Sequence, residues 1–244
     1  MPSPAPDAAR RRAAAECLLE GMVEAGLDLV PPSTLQAQET APDTGKGPGA
    51  TPEMADTDAA LATIAASIAS CQKCVLAHQR TQTVPGEGNP QARLMFVGEG
   101  PGAEEDRSGR PFVGASGQLL DKIIENGMGL SRQEVFIANL VKCRPPQNRT
   151  PQLDEVVACS TYLKEQIKAV QPELIIALGR PAAHFLLDTT EAVGSLRGKI
   201  LKNPQGGPPI LVTYHPAFLL YEPARKSDCW ADIQVAMRFL GLAQ

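Results

Sequence analysis

Cys71 and Cys74 form a C-x-x-C (CQKC), Cys143 stands in KCRPPQNR (142–149), and Cys159 lies sixteen residues further on. Four thiolates can hold zinc or an iron–sulfur cluster, both roughly tetrahedral in sulfur. Spacing does not separate the two, and no histidine stands at a finger-like distance. The plainer alternative is a set of buried small hydrophobes with one redox pair. Cys17 and Cys229 have no partner at ligand spacing and read as structural. A second set of residues surrounds GEGPGAEED (98–106). It is neither a complete G-x-x-x-x-G-K-[ST] nor a complete G-x-G-x-x-G. Gly98, Gly100 and Gly102 allow close backbone approach to a ligand. Glu99 directly follows an apolar run, so it is either a buried turn residue or a functional carboxylate. Glu104 and Asp106 read as solvated acids. Phe112, in GRPFVGASGQLL (109–120), either packs under its loop or offers a face to a planar ligand. Asn139 ends an apolar run, where its amide can cap a turn or both donate and accept along a nucleobase edge. His215 precedes Pro216 at another such end, a position that favours function over packing.

The elements that position these residues follow from apolar patterning. RLMFVGE (93–99), EVFIANLV (134–141), ELIIALG (173–179) and PILVTYHP (209–216) read as strands. Between and after them, 117–128, 153–170, 180–188 and 228–240 carry helical spacing. Alternating strand and helix imply an α/β fold: three αβα layers around a central, mostly parallel sheet of about four strands. Ligands bind such sheets beyond the carboxyl ends of the strands. The glycine-rich turn, Asn139 with KCRPPQNR, and YHPAFLL (214–220) all fall there.

The first quarter of the chain differs. Residues 8–28 have helical propensity, and 29–58 are rich in Pro, Gly and small polar residues, as in a flexible linker. The expected division is an N-terminal extension over 1–58 and a compact domain over 59–244, its first helix capped near Thr57. The net charge of −4 on 244 residues hides a split, −6 in that extension and +2 in the rest, so it neither excludes nucleic acid nor argues for it. No apolar run is long enough for a membrane span, and the basic N-terminus lacks a secretory h-region. A cytoplasmic chain with reduced thiols is the expectation.

VGEGPGAEEDRSGRPFVGASGQLLD, IANLVKCRPPQNRTP and YHPAFLL, together with the four cysteines, resemble the family-4 uracil-DNA glycosylases, the iron–sulfur branch of that superfamily. The likeness covers about residues 60–241. It implies a DNA-repair enzyme that flips uracil out of single- or double-stranded DNA and hydrolyses its N-glycosidic bond; a monomer is the default expectation. Cys71, Cys74, Cys143 and Cys159 would hold a [4Fe–4S] cluster. Gly98 and Gly100 would present backbone donors to uracil, and Glu99 would lie near the attacking water. Phe112 would stack on the base, Asn139 would read its O4 and N3–H edge, and His215 would stabilise charge on O2. Pro216, Phe218 and Leu219 would form a wedge in the DNA. Glu105 and Asn148 match functional positions with less defined roles. The sequence departs from the family at Ala217, where a serine is usual, and at Gly100, where other branches carry an acidic or amide residue. Rival expectations are an iron–sulfur redox protein, a zinc-bearing DNA-binding module, and a catalytically silent homologue.

Overall fold

The computed structural model describes residues 52–242. The expected helix over 8–28, Cys17 and most of the expected linker lie outside the described residues. The first described helix, α1 (Pro52–Ala69), begins upstream of Thr57, which is inside the helix and not at its cap. A proline opens it, at the one place where a missing N–H costs nothing.

Six strands form one sheet: β1 (Glu87–Gly88), β2 (Leu94–Gly98), β3 (Phe136–Asn139), β4 (Leu174–Leu178), β5 (Ile200–Leu201) and β6 (Ile210–Thr213), in the order β1-β3-β2-β4-β6-β5. The four central strands, those expected from the sequence, are mutually parallel. The two-residue edge strands pair antiparallel. They are additions to the expectation, since two residues are too few to show a period. Every residue of the four central strands is buried. Such runs belong to strands covered on both faces.

Seven further helices follow: α2 (Ala103–Ser108), α3 (Ala115–Lys122), α4 (Leu153–Val170), α5 (Arg180–Leu187), α6 (Val193–Leu196), α7 (Pro216–Tyr221) and α8 (Lys226–Leu240). Alternate side chains of each strand enter opposite layers. Leu94, Phe96, Ile137, Ile176 and Leu211 pack against Leu119 and Leu120 of α3 and Ile233 and Ala236 of α8. Met95, Val97, Ala138, Ala177 and Val212 pack against Leu163 of α4 and Ala182 and Leu186 of α5. A third, smaller cluster joins Ile64 and Ile68 of α1 to Leu76, Val141, Tyr162, Cys143 and Cys159. No helix among the described residues is long and apolar enough to cross a membrane.

Candidate active site

β2 and β4 are neighbours, and the chain leaves β2 toward β3 but leaves β4 toward β5 and β6, so the outgoing connections diverge and open a crevice at the carboxyl ends of these two strands. The ladder continues past the strands there. Leu140 N–H donates to Gly98 O at 2.9 Å and Val141 N–H to Glu99 O at 3.1 Å. The glycine-rich turn is thereby fixed against the segment after Asn139. A cavity of about 240 Å³ sits at this point, lined by Glu99, Gly100, Glu105, Phe112, Ser116, Asn139, Asn148, Arg149, His215 and Ala217, among others. Gly98 lies beneath it. A methyl group on Gly98 would stand 2.4 Å from Asn139 Oδ1 and 2.5 Å from Phe112 Cζ. That space belongs to the two side chains.

Asn139 is only 2% exposed, and its Oδ1 has no hydrogen-bond partner. An orphaned buried acceptor costs about 1–3 kcal/mol, a cost that a ligand donor would relieve. Phe112 covers the same space from a left-handed backbone, φ 51°. Such a conformation persists for an aromatic residue only when its surroundings enforce it. Glu105 supplies that enforcement. Its Oε1 accepts from the N–H groups of Val113 and Gly114, both at 2.8 Å, and its Oε2 from Gly102 N–H at 3.0 Å. The carboxylate therefore ties the glycine-rich turn to the Phe112 loop.

His215 caps α7. Its Nδ1 accepts from Ala217 N–H at 3.1 Å, which leaves the imidazole proton on Nε2. Burial pushes the ring's pKa down to about 4, against the upward pull of Glu105. A neutral Nε2–H donor is thus available throughout the physiological range. The ring lies 5.6 Å from Phe112, centroid to centroid. Gly179, at the end of β4, backs it, for a methyl there would come within 2.9 Å of His215 Cβ. Glu99 is desolvated, which raises its pKa, while a hydrogen bond from the Thr150 side chain and the charge of Arg180 oppose the rise.

The mouth of the cavity is a constrained loop. Gln147 and Asn148 are both left-handed, at φ 53° and 56°. Asn148 Oδ1 accepts from Arg144 Nε at 2.8 Å. Arg149 is held by both oxygens of Glu155, at 2.8 and 2.5 Å, and Glu155 also accepts from Gln152 N–H at the start of α4.

Three expectations change. Pro216 and Leu219 face inward, Leu219 being 1% exposed, because the segment after His215 is a helix with one side on the core. Of the three wedge residues, Phe218 alone reaches solvent, at 41%, with Tyr221 of the same helix at 84%. Asp106 is buried, not solvated; both its oxygens accept from Thr81 N–H, at 2.9 and 3.1 Å. Ser116, Arg149 and Gly179 were not foreseen, although a glycine ending the third apolar run was a usable signal.

Behind the cavity, the four cysteines line a single pocket with Ile68, Lys73, Arg80, Lys142 and Tyr162. All four are free thiols. Arg80 Nη1 donates to Cys143 Sγ, and Lys142 N–H to Cys159 Sγ, both at 3.2 Å. Among the described residues no group of three or more His, Cys, Asp or Glu could hold a metal ion as it stands. Four sulfurs on one zinc would stand about 3.8 Å apart. Sulfurs that each bind a different iron of a cluster spread more widely. Four thiols in one pocket, with two N–H···S donors and nearby cations, are a donor set that fits an anionic thiolate-bound metal centre.

A small cavity at the switch point of a parallel sheet, walled by an aromatic ring, a buried unpaired amide and a neutral histidine, has the shape and donors to receive one planar polar ring. The family model described as "Uracil DNA glycosylase superfamily" matches residues 85–234. The chain is 50% identical over 166 residues to the type-4 uracil-DNA glycosylase of Saccharolobus solfataricus, covering 66% of this chain and 77% of the relative. It is 40% identical over 187 residues to that of Archaeoglobus fulgidus, covering 74% and 94%. The type-5 uracil-DNA glycosylase of Pyrobaculum aerophilum is 35% identical over 150 residues, 55% of this chain and 65% of the relative. The chain belongs to the uracil-DNA glycosylase superfamily, in its type-4 branch.

Proposed function

We propose that the chain excises uracil from DNA, with the cavity at the end of β2 receiving the flipped-out base. The observation that carries this reading is Asn139 Oδ1, buried and unpartnered in a slot shared with Phe112. Uracil N3–H would donate to that oxygen while the amide nitrogen donates to O4. Cytosine offers neither match, since its N3 is an acceptor and its exocyclic group a donor. Phe112 stacks on the base. Extrusion from the duplex costs a few kcal/mol, offset in part by Phe218 entering the vacated space.

Cleavage breaks the C1′–N1 bond with both electrons leaving on uracil. Negative charge grows on O2, where His215 Nε2–H donates; a preorganised donor of this kind contributes by stabilising charge only as it forms. Glu99 orients a water toward C1′. The water oxygen bonds to C1′, one water proton passes to Glu99, and the uracil anion is protonated in turn. The products are free uracil and an abasic sugar. Glu105 holds the two loops in place and does no chemistry itself.

Cys71, Cys74, Cys143 and Cys159 would hold a [4Fe–4S] cluster. When bound, it joins α1, the loop after β3 and α4 as a structural crosslink. The partner is uracil-containing DNA, single- or double-stranded, and the chain acts as a cytoplasmic monomer with residues 59–244 as its catalytic domain. A uracil-containing oligonucleotide treated with the protein and then alkali tests the reading, alongside a visible spectrum. Strand breakage at uracil with absorbance near about 400 nm supports it. A brown protein that never releases uracil points to the redox protein or silent homologue.

A further inference from the structure

We propose that Lys142 is a positioning residue that sets the base-reading edge of Asn139 from behind; this rests on the uracil reading of the cavity. Lys142 is 1% exposed. Its ammonium donates to Asn139 O at 2.8 Å and to Gln166 Oε1 at 2.6 Å. Gln166, itself 2% exposed, passes the constraint on, its Nε2 donating to Pro85 O at 2.7 Å. The main chain of Lys142 is pinned as well, its N–H to Cys159 Sγ at 3.2 Å and its carbonyl accepting from Val84 N–H at 2.8 Å.

None of these partners is a carboxylate. The groups nearest it that can carry negative charge are the cysteine thiols whose pocket it also lines. Its ammonium is nonetheless spent on the Asn139 carbonyl and the Gln166 amide, and an apolar side chain of similar length would fill the space at less desolvation cost. What the ammonium supplies that methionine cannot is a fixed position for the Asn139 carbonyl. That position matters because Asn139 Oδ1 makes no hydrogen bond of its own. The amide's aim is set by packing against Gly98 and Phe112 and by where its backbone sits. Lys142 touches neither base nor sugar; it acts through Asn139.

Lys142→Met in the full-length, cluster-loaded chain tests this. Affinity for free uracil and kcat on a uracil oligonucleotide are expected to fall about tenfold to a hundredfold, the scale of a small misplacement in a reaction site. Affinity for an oligonucleotide carrying an abasic-site analogue should stay unchanged, because no base enters the slot. Unchanged uracil affinity, or an equal loss for uracil and abasic DNA, overturns the proposal. Should that variant lack folded, coloured protein, Gln166→Leu frees one side of the ammonium and leaves the Asn139 contact. Uracil affinity then falls severalfold, and an unchanged value overturns the proposal. Wild-type protein that neither binds nor releases uracil fails the reading of the cavity instead, before either variant is compared.

Discussion

The cavity at the end of β2 and the cysteine pocket are finished to different degrees. In the cavity the scaffold is already satisfied: Glu105 accepts three backbone donors, His215 caps its own helix, and Glu155 grips Arg149. Only Asn139 Oδ1 is left wanting. The cysteine pocket is apolar cluster on one side and four free thiols on the other, with no group among the described residues able to hold an ion as it stands. The first is held in shape by hydrogen bonds within the chain, and the second is a set of thiols around an apolar cluster. Chemistry should therefore be sensitive to single atoms in the cavity, and stability to the cysteines.

The largest effect should come from His215→Ser. Removing a preorganised donor costs about 10²–10³ in rate, and single-turnover uracil release would show it. A change below tenfold would return His215 to a capping role and weaken the contrast between the regions. Asn139→Asp comes next. A carboxylate turns the amide donor into an acceptor that repels O4, so uracil release should fall by about a hundredfold. Rates measured on paired uracil and cytosine oligonucleotides would reveal any relaxed choice. Unchanged uracil release takes Asn139 out of the base slot.

A pH profile sharpens the same point. With its pKa near 4, His215 stays neutral and its Nε2–H present above that value, so it should give no limb between about pH 5 and 8. Burial raises the Glu99 pKa above the usual glutamate value, so activity should fall on acidification with a midpoint shifted upward from that value. Glu99→Gln should abolish that limb together with most of the rate. Stability has its own sign. The unfolded histidine takes up a proton that the folded one refuses, so the His215 contribution is present above about 6.5 and is lost as pH falls toward about 4. Activity following an imidazole titration near neutrality would contradict a buried His215.

Cys74→Ala acts on the other region. Losing a ligand should bleach the protein and lower its melting temperature, about 2–4 °C for each kcal/mol lost in a chain of this size. Well below that temperature, uracil release should change less than about tenfold, because no catalytic group is anchored on Cys74. A loss as large as that of His215→Ser would mean that the cavity is not preorganised after all.

Much of this arrangement was legible in the sequence, and the exceptions share a cause. The four central strands announced themselves as continuous apolar runs because each is buried on both faces, and α4 because its 18 residues are long enough to show a helical period. Glu99, Phe112, Asn139 and His215 stood out because strand ends and glycine-bounded loops are where ligands bind. Contacts made by groups distant in sequence were not legible. Asp106 looks solvated until Thr81 is brought to it, and nothing in the sequence marks Lys142, whose burial depends on Gln166, twenty-four residues away. The family resemblance makes Leu219 part of a wedge, and a helical turn after His215 carries its side chain into the core.

The smallest effect should come from the N-terminal extension, and where it is cut decides what is learned. Ile64 and Ile68 of α1 are buried in the cluster that contains Cys143 and Cys159, so α1 belongs to the cysteine pocket. Removing residues 1–51 leaves α1 whole, and uracil release from short oligonucleotides should match that of the full chain within about twofold. Removing residues 1–69 strips two buried isoleucines, each worth several kcal/mol to the core, and colour and melting temperature should fall together. If the shorter cut alone lowered activity, residues before α1 would have to contribute to DNA binding or to the cavity. If the longer cut were harmless, the third cluster would not be what holds the cysteines in place.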